Sequence, residues 1–137
     1  SAPVLELLRA VTPPWVVGLP TQVAAVCALE SLDYYKAKWA QTALLRQALG
    51  DSLQQLGWDV VEGTANFLLC HLPTDGPNSQ DWVRRCREHG VFLRDASPMV
   101  STLGRHAIRV AVKDADTNRR MLAILSEVAQ TLSASGS

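Results

Sequence analysis

The spacing of hydrophobic positions changes along the chain and divides it into elements. Residues 4–11 repeat at helical spacing up to Pro13-Pro14, which cannot continue a helix. Pro13 to Pro20 is expected to be extended, with Gly18 giving backbone freedom, and Thr21 to cap a short apolar helix running to about Glu30. Leu32, Tyr35, Trp39, Thr42, Leu45, Leu49, Leu53 and Leu56 then recur at steps of three and four, predicting one long amphipathic helix. Gly57 is its natural stop, because the left-handed residue that ends many helices is most often glycine. A helix that long in so small a chain is expected to reach across to something else.

Beyond Gly57 the period shortens. Trp58 to Val61 and Asn66 to Leu72 read as strands separated by Glu62-Gly63-Thr64. Pro73 to Pro77 is a turn, and Asn78 or Ser79 caps a helix with Trp82, Val83 and Cys86 inward and Arg84, Arg85, Arg87 and Glu88 outward, ending at Gly90. Val91 to Arg94 reads as a short strand and residues 95–105 as a loop. Ala107 to Val112 is the cleanest alternating strand, and Asp114 caps a last helix with the stripe Met121, Leu122, Leu125, Val128, Ala129 and Leu132. Together these predict an α+β two-layer domain: a long helix near the N-terminus, then a mostly antiparallel sheet covered by helices. The expected division is an extended segment with a short helix over 1–20, a folded domain over 21–132 and a flexible tail over 133–137.

Composition narrows the class. Hydrophobic residues make up 47% of the 137, enough for one core, and the 13 basic residues balance the 13 acidic ones. Zero net charge argues against a protein that binds nucleic acid through a basic face. No apolar run is long enough to cross a bilayer, and no membrane role is expected. The start Ser1-Ala2-Pro3 lacks a methionine and reads as a cut start, without the pattern of a secretory leader. Cys27, Cys70 and Cys86 form no C-x-x-C pair, are odd in number and sit among apolar neighbours. They are expected to be buried, reduced thiols in a cytoplasmic protein. The three histidines lack metal-ligand spacing, so no metal is expected.

Arg109 is the residue whose placement points to chemistry. Ile108, Val110 and Val112 share one strand face, which leaves Arg109 on the other between the small Ala107 and Ala111. Arg94 ends the preceding strand, and a hairpin would bring both guanidiniums to one rim, where two forked donors suit a carboxylate or a phosphate. The ordinary alternative pairs such an arginine with a nearby acid, here Asp95 or Glu62. Lys36, Lys38 and Lys113 all read as solvated, and none has the apolar setting an amine nucleophile needs. Of the four tryptophans, which lie on separate elements, Trp39 and Trp82 fall on apolar stripes and are expected in the core. Trp15, with Leu5 and Leu8 nearby, is expected to cover an apolar interface.

Several segments resemble the C-terminal part of class I/II aminotransferases. They are Pro13-Pro14-Trp15-Val16-Val17, Gln22-Val23-Ala24-Ala25, Gly63 to Leu69, Gly90 to Asp95, Ile108 to Val112 and Asn118 to Leu122. Each is short; in register, over about residues 5–130, they are similar to the histidinol-phosphate aminotransferase branch and to threonine-phosphate decarboxylase. The resemblance implies a pyridoxal-phosphate enzyme of fold type I, in which this region is the small domain closing over a cofactor held mainly by a larger N-terminal domain. By resemblance Arg109 binds the anionic group of a small substrate, Arg94 helps hold its phosphate, and Asn66-Phe67 is a structural pair. A homodimer is implied at full length.

The family's cofactor-bearing lysine, its serine-rich loop and the aspartate facing the pyridine nitrogen have no counterpart here, so no catalytic residue and no cofactor are expected in this piece by itself. Gly18 stands where the decarboxylase pattern often has asparagine, whereas Pro14-Trp15 leans towards the decarboxylase. Three functions are therefore carried forward: amino transfer from a phosphorylated amine such as histidinol phosphate to a 2-oxo acid, decarboxylation of threonine phosphate, and a non-enzymatic binding or dimerisation module.

Overall fold

Two alternating five-residue strands, Phe67–His71 (β2) and Ala107–Ala111 (β4), form the centre of a four-stranded sheet. In the computed structural model, which describes residues 2–12 and 17–134, the short strands Asp59–Val61 (β1) and Arg94–Asp95 (β3) flank them. The order is β1-β2-β4-β3 and every neighbouring pair is antiparallel. Leu69 lies opposite Arg109, and Arg109 lies opposite Arg94.

Side chains alternate across such a sheet. Leu68, Cys70, Ile108 and Val110 all point to one face and are buried. That face packs against Leu49 and Leu53 of the long helix Leu32–Gln55 (α3), Trp82 and Cys86 of Ser79–Glu88 (α4), and Leu125, Val128 and Leu132 of Ala115–Ala134 (α5). Trp58 and Trp82 meet edge to face with ring centroids 4.9 Å apart. Gly50 brings α3 close to the sheet, since a methyl group there would already touch Val60 and Leu68. The result is one layer of helices on one layer of sheet, the expected α+β class.

Local signals fix the element ends. Gly57 (φ +82°) follows α3 and Gly90 (φ +78°) follows α4, both in the left-handed region that costs other residues energy. Asn78 Oδ1 accepts from the Gln80 and Asp81 amides at the start of α4. The Asp114 carboxylate accepts from the Thr117 amide and hydroxyl at the start of α5. A buried asparagine that the pattern did not reveal closes the approach to α5: Asn118 accepts from the Lys113 amide and donates to its carbonyl.

The chain divides into two units, Ser1–Lys38 and Trp39–Ser137, with the boundary inside α3. The first contains the helices Ala2–Val11 (α1) and Leu19–Glu30 (α2) and the opening of α3. Most of its large apolar side chains are exposed, Leu7 by 70% and Leu29 by 75% among them.

Several expectations are corrected. The second helix starts at Leu19 rather than after Thr21, with Gly18 as its cap; Pro20 fits the first turn because its missing N–H has no helical partner there. Trp39 is 60% exposed although it lies on the apolar stripe of α3, and Cys27 is exposed although its neighbours are apolar. A helical stripe shows which side is apolar, not whether anything covers it. The strand expected at Val91–Arg94 forms only at Arg94–Asp95, because the Val91 amide is used on the Cys86 carbonyl and Phe92 projects outward. The loop over 95–105 contains a 3₁₀ segment, Ser101–His106. Trp15, the Pro13 to Val16 stretch and the end of the tail at 135–137 lie outside the described residues.

Candidate functional site

The face of the sheet away from the helices carries Phe67, Leu69 and His71 of β2, Arg109 and Ala111 of β4, and Arg94 of β3. Arg94 is exposed and Arg109 half-buried. Side chains paired this way sit with Cβ atoms about 5 Å apart, and like charges so placed repel. Neither arginine forms an ion pair among the described residues.

The acids proposed as ordinary partners are elsewhere. Asp95 turns to the opposite face, where Ser79 Oγ lies 2.8 Å and the Ser97 amide 2.9 Å from its carboxylate. The single Ser79 proton serves one of three acceptors, that carboxylate, the Ser97 hydroxyl at 2.8 Å or the Arg105 carbonyl at 3.0 Å. Glu62 is exposed in the connection between β1 and β2 and lines the groove under α3. Asp59 shares the arginine face but lies on β1, two strands from Arg109 and across from His71. Among the described residues the site therefore has two cations and no carboxylate within ion-pair distance of either.

Phe67 is the member of this face that sequence reasoning placed only as structure. The Arg109 guanidinium carbon lies 3.9 Å from the centroid of its ring. Arg109 Nε is buried without a hydrogen-bond partner. The entry to β2 is held by Arg46, whose Nη1 donates to the Thr64 and Ala65 carbonyls at 3.1 and 3.3 Å. Strand alternation was the available signal, since it puts Phe67 on the face opposite Leu68 and Cys70 and on the same side as Arg109.

Burial outweighs everything else at Asp95 taken singly and raises its pKa, but hydrogen bonds from Ser97, Ser79 and Gln80 together hold the carboxyl below the ordinary carboxylate value. A lowered folded-state value stabilises the fold above the unfolded-state pKa, and that contribution is lost as pH falls through the folded-state value. Asp95→Asn is therefore expected to flatten the loss of stability below about pH 5. Urea unfolding across that range checks it; an unchanged acid slope would show that Asp95 contributes nothing there. The buried thiols are inert by the same physics: burial pushes Cys70 up to about 12, with Asp59 adding to the rise, and Cys86 up to about 11.

The family model for class I and II aminotransferases matches residues 1–125. The chain belongs to that family. It is 32% identical over 129 residues to histidinol-phosphate aminotransferase 2 of Archaeoglobus fulgidus, a match covering 93% of this chain and 36% of the relative. It is 27% identical over 128 residues to a histidinol-phosphate aminotransferase of Rhodopseudomonas palustris, covering 92% and 34%. The fold is similar to part of the Clostridium acetobutylicum histidinol-phosphate aminotransferase, with a TM-score of 0.73 at 22% identity over 91% of this chain and 37% of that one. The chain thus spans about a third of the length of the curated relatives it matches.

Class I and II aminotransferases are generally pyridoxal-phosphate enzymes. The lysines here do not fit the attachment of that cofactor. Lys36, Lys38 and Lys113 are all exposed. Lys38 lies 5.6 Å over the Tyr34 ring. Lys113 lines a cavity of about 590 Å³ with Phe92 and Met121 but is exposed, as expected of a solvated lysine. Among the described residues no helix is long and apolar enough to cross a membrane.

Proposed function

We propose that this chain is the substrate-holding small domain of a pyridoxal-phosphate aminotransferase that moves the amino group of a phosphorylated amine, such as histidinol phosphate, to a 2-oxo acid. The observation that carries this reading is the cross-strand pair Arg94 and Arg109, neither of which is in an ion pair among the described residues. Two cationic side chains on paired strand positions are stabilised by an anion close to both, and a phosphate offers enough oxygens to accept from more than one guanidinium. Arg109, the less exposed of the two, fixes the anion, and Arg94 completes its charge balance from the rim. Holding that end determines which bond of the substrate faces the cofactor.

The cofactor and its lysine belong to a larger N-terminal domain, and the complete enzyme is a homodimer; the small domain has no activity by itself. The similarity to histidinol-phosphate aminotransferases over more than nine-tenths of the chain supports the phosphorylated substrate.

The full-length gene product, supplied with histidinol phosphate and a 2-oxo acid, is expected to consume the two in equal amounts. Carbon dioxide release from threonine phosphate, with no oxo acid consumed, would instead identify the decarboxylase. A native product of only 137 residues that gains no adduct when treated with pyridoxal phosphate and borohydride would leave the binding module.

A further inference from the structure

We infer that Phe67 is a positioning residue for Arg109: its ring sets the plane of the guanidinium and so tunes affinity for the anionic end of the substrate. The inference rests on the proposed role of Arg109 and goes beyond it, because it concerns a residue that touches no anion. The Arg109 guanidinium carbon lies 3.9 Å from the Phe67 ring centroid, the distance of a group lying on a ring face. Phe67 stands opposite Ala111, two residues along β4 from Arg109, so the contact is a diagonal one across the β2–β4 pair. The small Ala111 leaves space for the arginine to lean over the ring.

This contact decides how Arg109 meets an anion. An arginine with one flat face against a ring cannot turn that face to water, so its plane is fixed before the anion arrives. Its Nε is already buried and unpartnered, so one donor has lost its hydration without a hydrogen bond in return. The terminal nitrogens are left as the donors directed away from the backbone. A guanidinium held in one plane loses less rotational freedom on binding than a freely turning one, and preorganisation of this kind raises affinity without a new contact to the ligand. Arg46 holds the chain entering β2 and thereby fixes the strand that carries the ring.

The test uses the full-length enzyme and four variants: Phe67→Leu, Phe67→Tyr, Arg109→Ala and the double variant Phe67→Leu with Arg109→Ala. Phe67→Leu is expected to raise KM for the phosphorylated substrate about 2- to 30-fold, the range of a cation–π contact, with a much smaller change in kcat. Phe67→Tyr keeps the ring face and is expected to restore KM. In the Arg109→Ala background, Phe67→Leu is expected to add nothing, because the group it positions has gone.

An equal KM increase in both backgrounds would overturn the inference, since Phe67 would then act by another route. So would an unchanged KM in Phe67→Leu when Arg109→Ala raises it, while leaving the role of Arg109 intact. Unchanged KM in Arg109→Ala itself would remove both. Should the leucine variant fail to fold, Phe67→Met repeats the comparison with a longer, flexible side chain that also lacks a ring.

Discussion

Arg109→Ala in the full-length enzyme is expected to lower kcat/KM for the phosphorylated substrate by about 100-fold or more, with cofactor absorbance unchanged. Truncating one partner of a hydrogen-bonded charge pair costs about 2–5 kcal/mol when the pair is buried, and the lower half of that range suits a half-buried arginine. At about 1.4 kcal/mol per factor of ten, about 3 kcal/mol gives the expected loss. Arg94→Ala is expected to cost about tenfold or less, because solvent screens an exposed cation. Steady-state kinetics over a substrate series, with the cofactor spectrum recorded on the same samples, separates the two effects. A normal KM in Arg109→Ala, or a lost cofactor spectrum, would contradict the assignment of Arg109 to the substrate.

The second large effect is on stability. Ile108→Ala is expected to destabilise the 137-residue chain by about 2–5 kcal/mol, the cost of truncating a fully buried aliphatic side chain. Ile108 is 0% exposed, lies at the centre of the sheet opposite Cys70, and faces the helix layer. A single domain has only about 5–15 kcal/mol of stability, so this one change removes a large share of it. Leu44→Ala is the control: that side chain is 71% exposed, and the change is expected to stay within about 0.5 kcal/mol. Urea unfolding midpoints give both values, and equal midpoints for the two variants would show that the sheet–helix core does not carry the stability. Because Ile108 immediately precedes Arg109, a shift in β4 would also reach the proposed anion site.

How far the sequence led depends on what kind of signal each residue gives. Alternation from Ala107 to Ala111 was sufficient to separate Arg109 from Ile108 and Val110, and β4 has that geometry. That Arg94 would stand directly opposite Arg109 was only a hairpin possibility in the sequence, since register depends on where pairing starts. The apolar run at Val91 to Leu93 resembled a strand because composition does not record that the Val91 amide is taken by Cys86. Phe67 was undervalued for a different reason: its importance is a relation between two strands 40 residues apart, and no local pattern contains it. The structural role of Asn118 was likewise not legible, because its two bonds go to the backbone of Lys113 rather than to a side chain with a recognisable motif.

The uneven lengths of the strands bear on how the chain behaves in solution. The two five-residue strands lie inside the sheet, and the rims are β1 with three residues and β3 with two. A rim so short offers few free amides and carbonyls on which a foreign strand can assemble, and charges on it discourage the attempt. Asp59 occupies one rim and Arg94 the other. The guanidinium proposed to meet a phosphate therefore also guards an open sheet edge against aggregation, and a neutral residue at position 94 would weaken both protections at once.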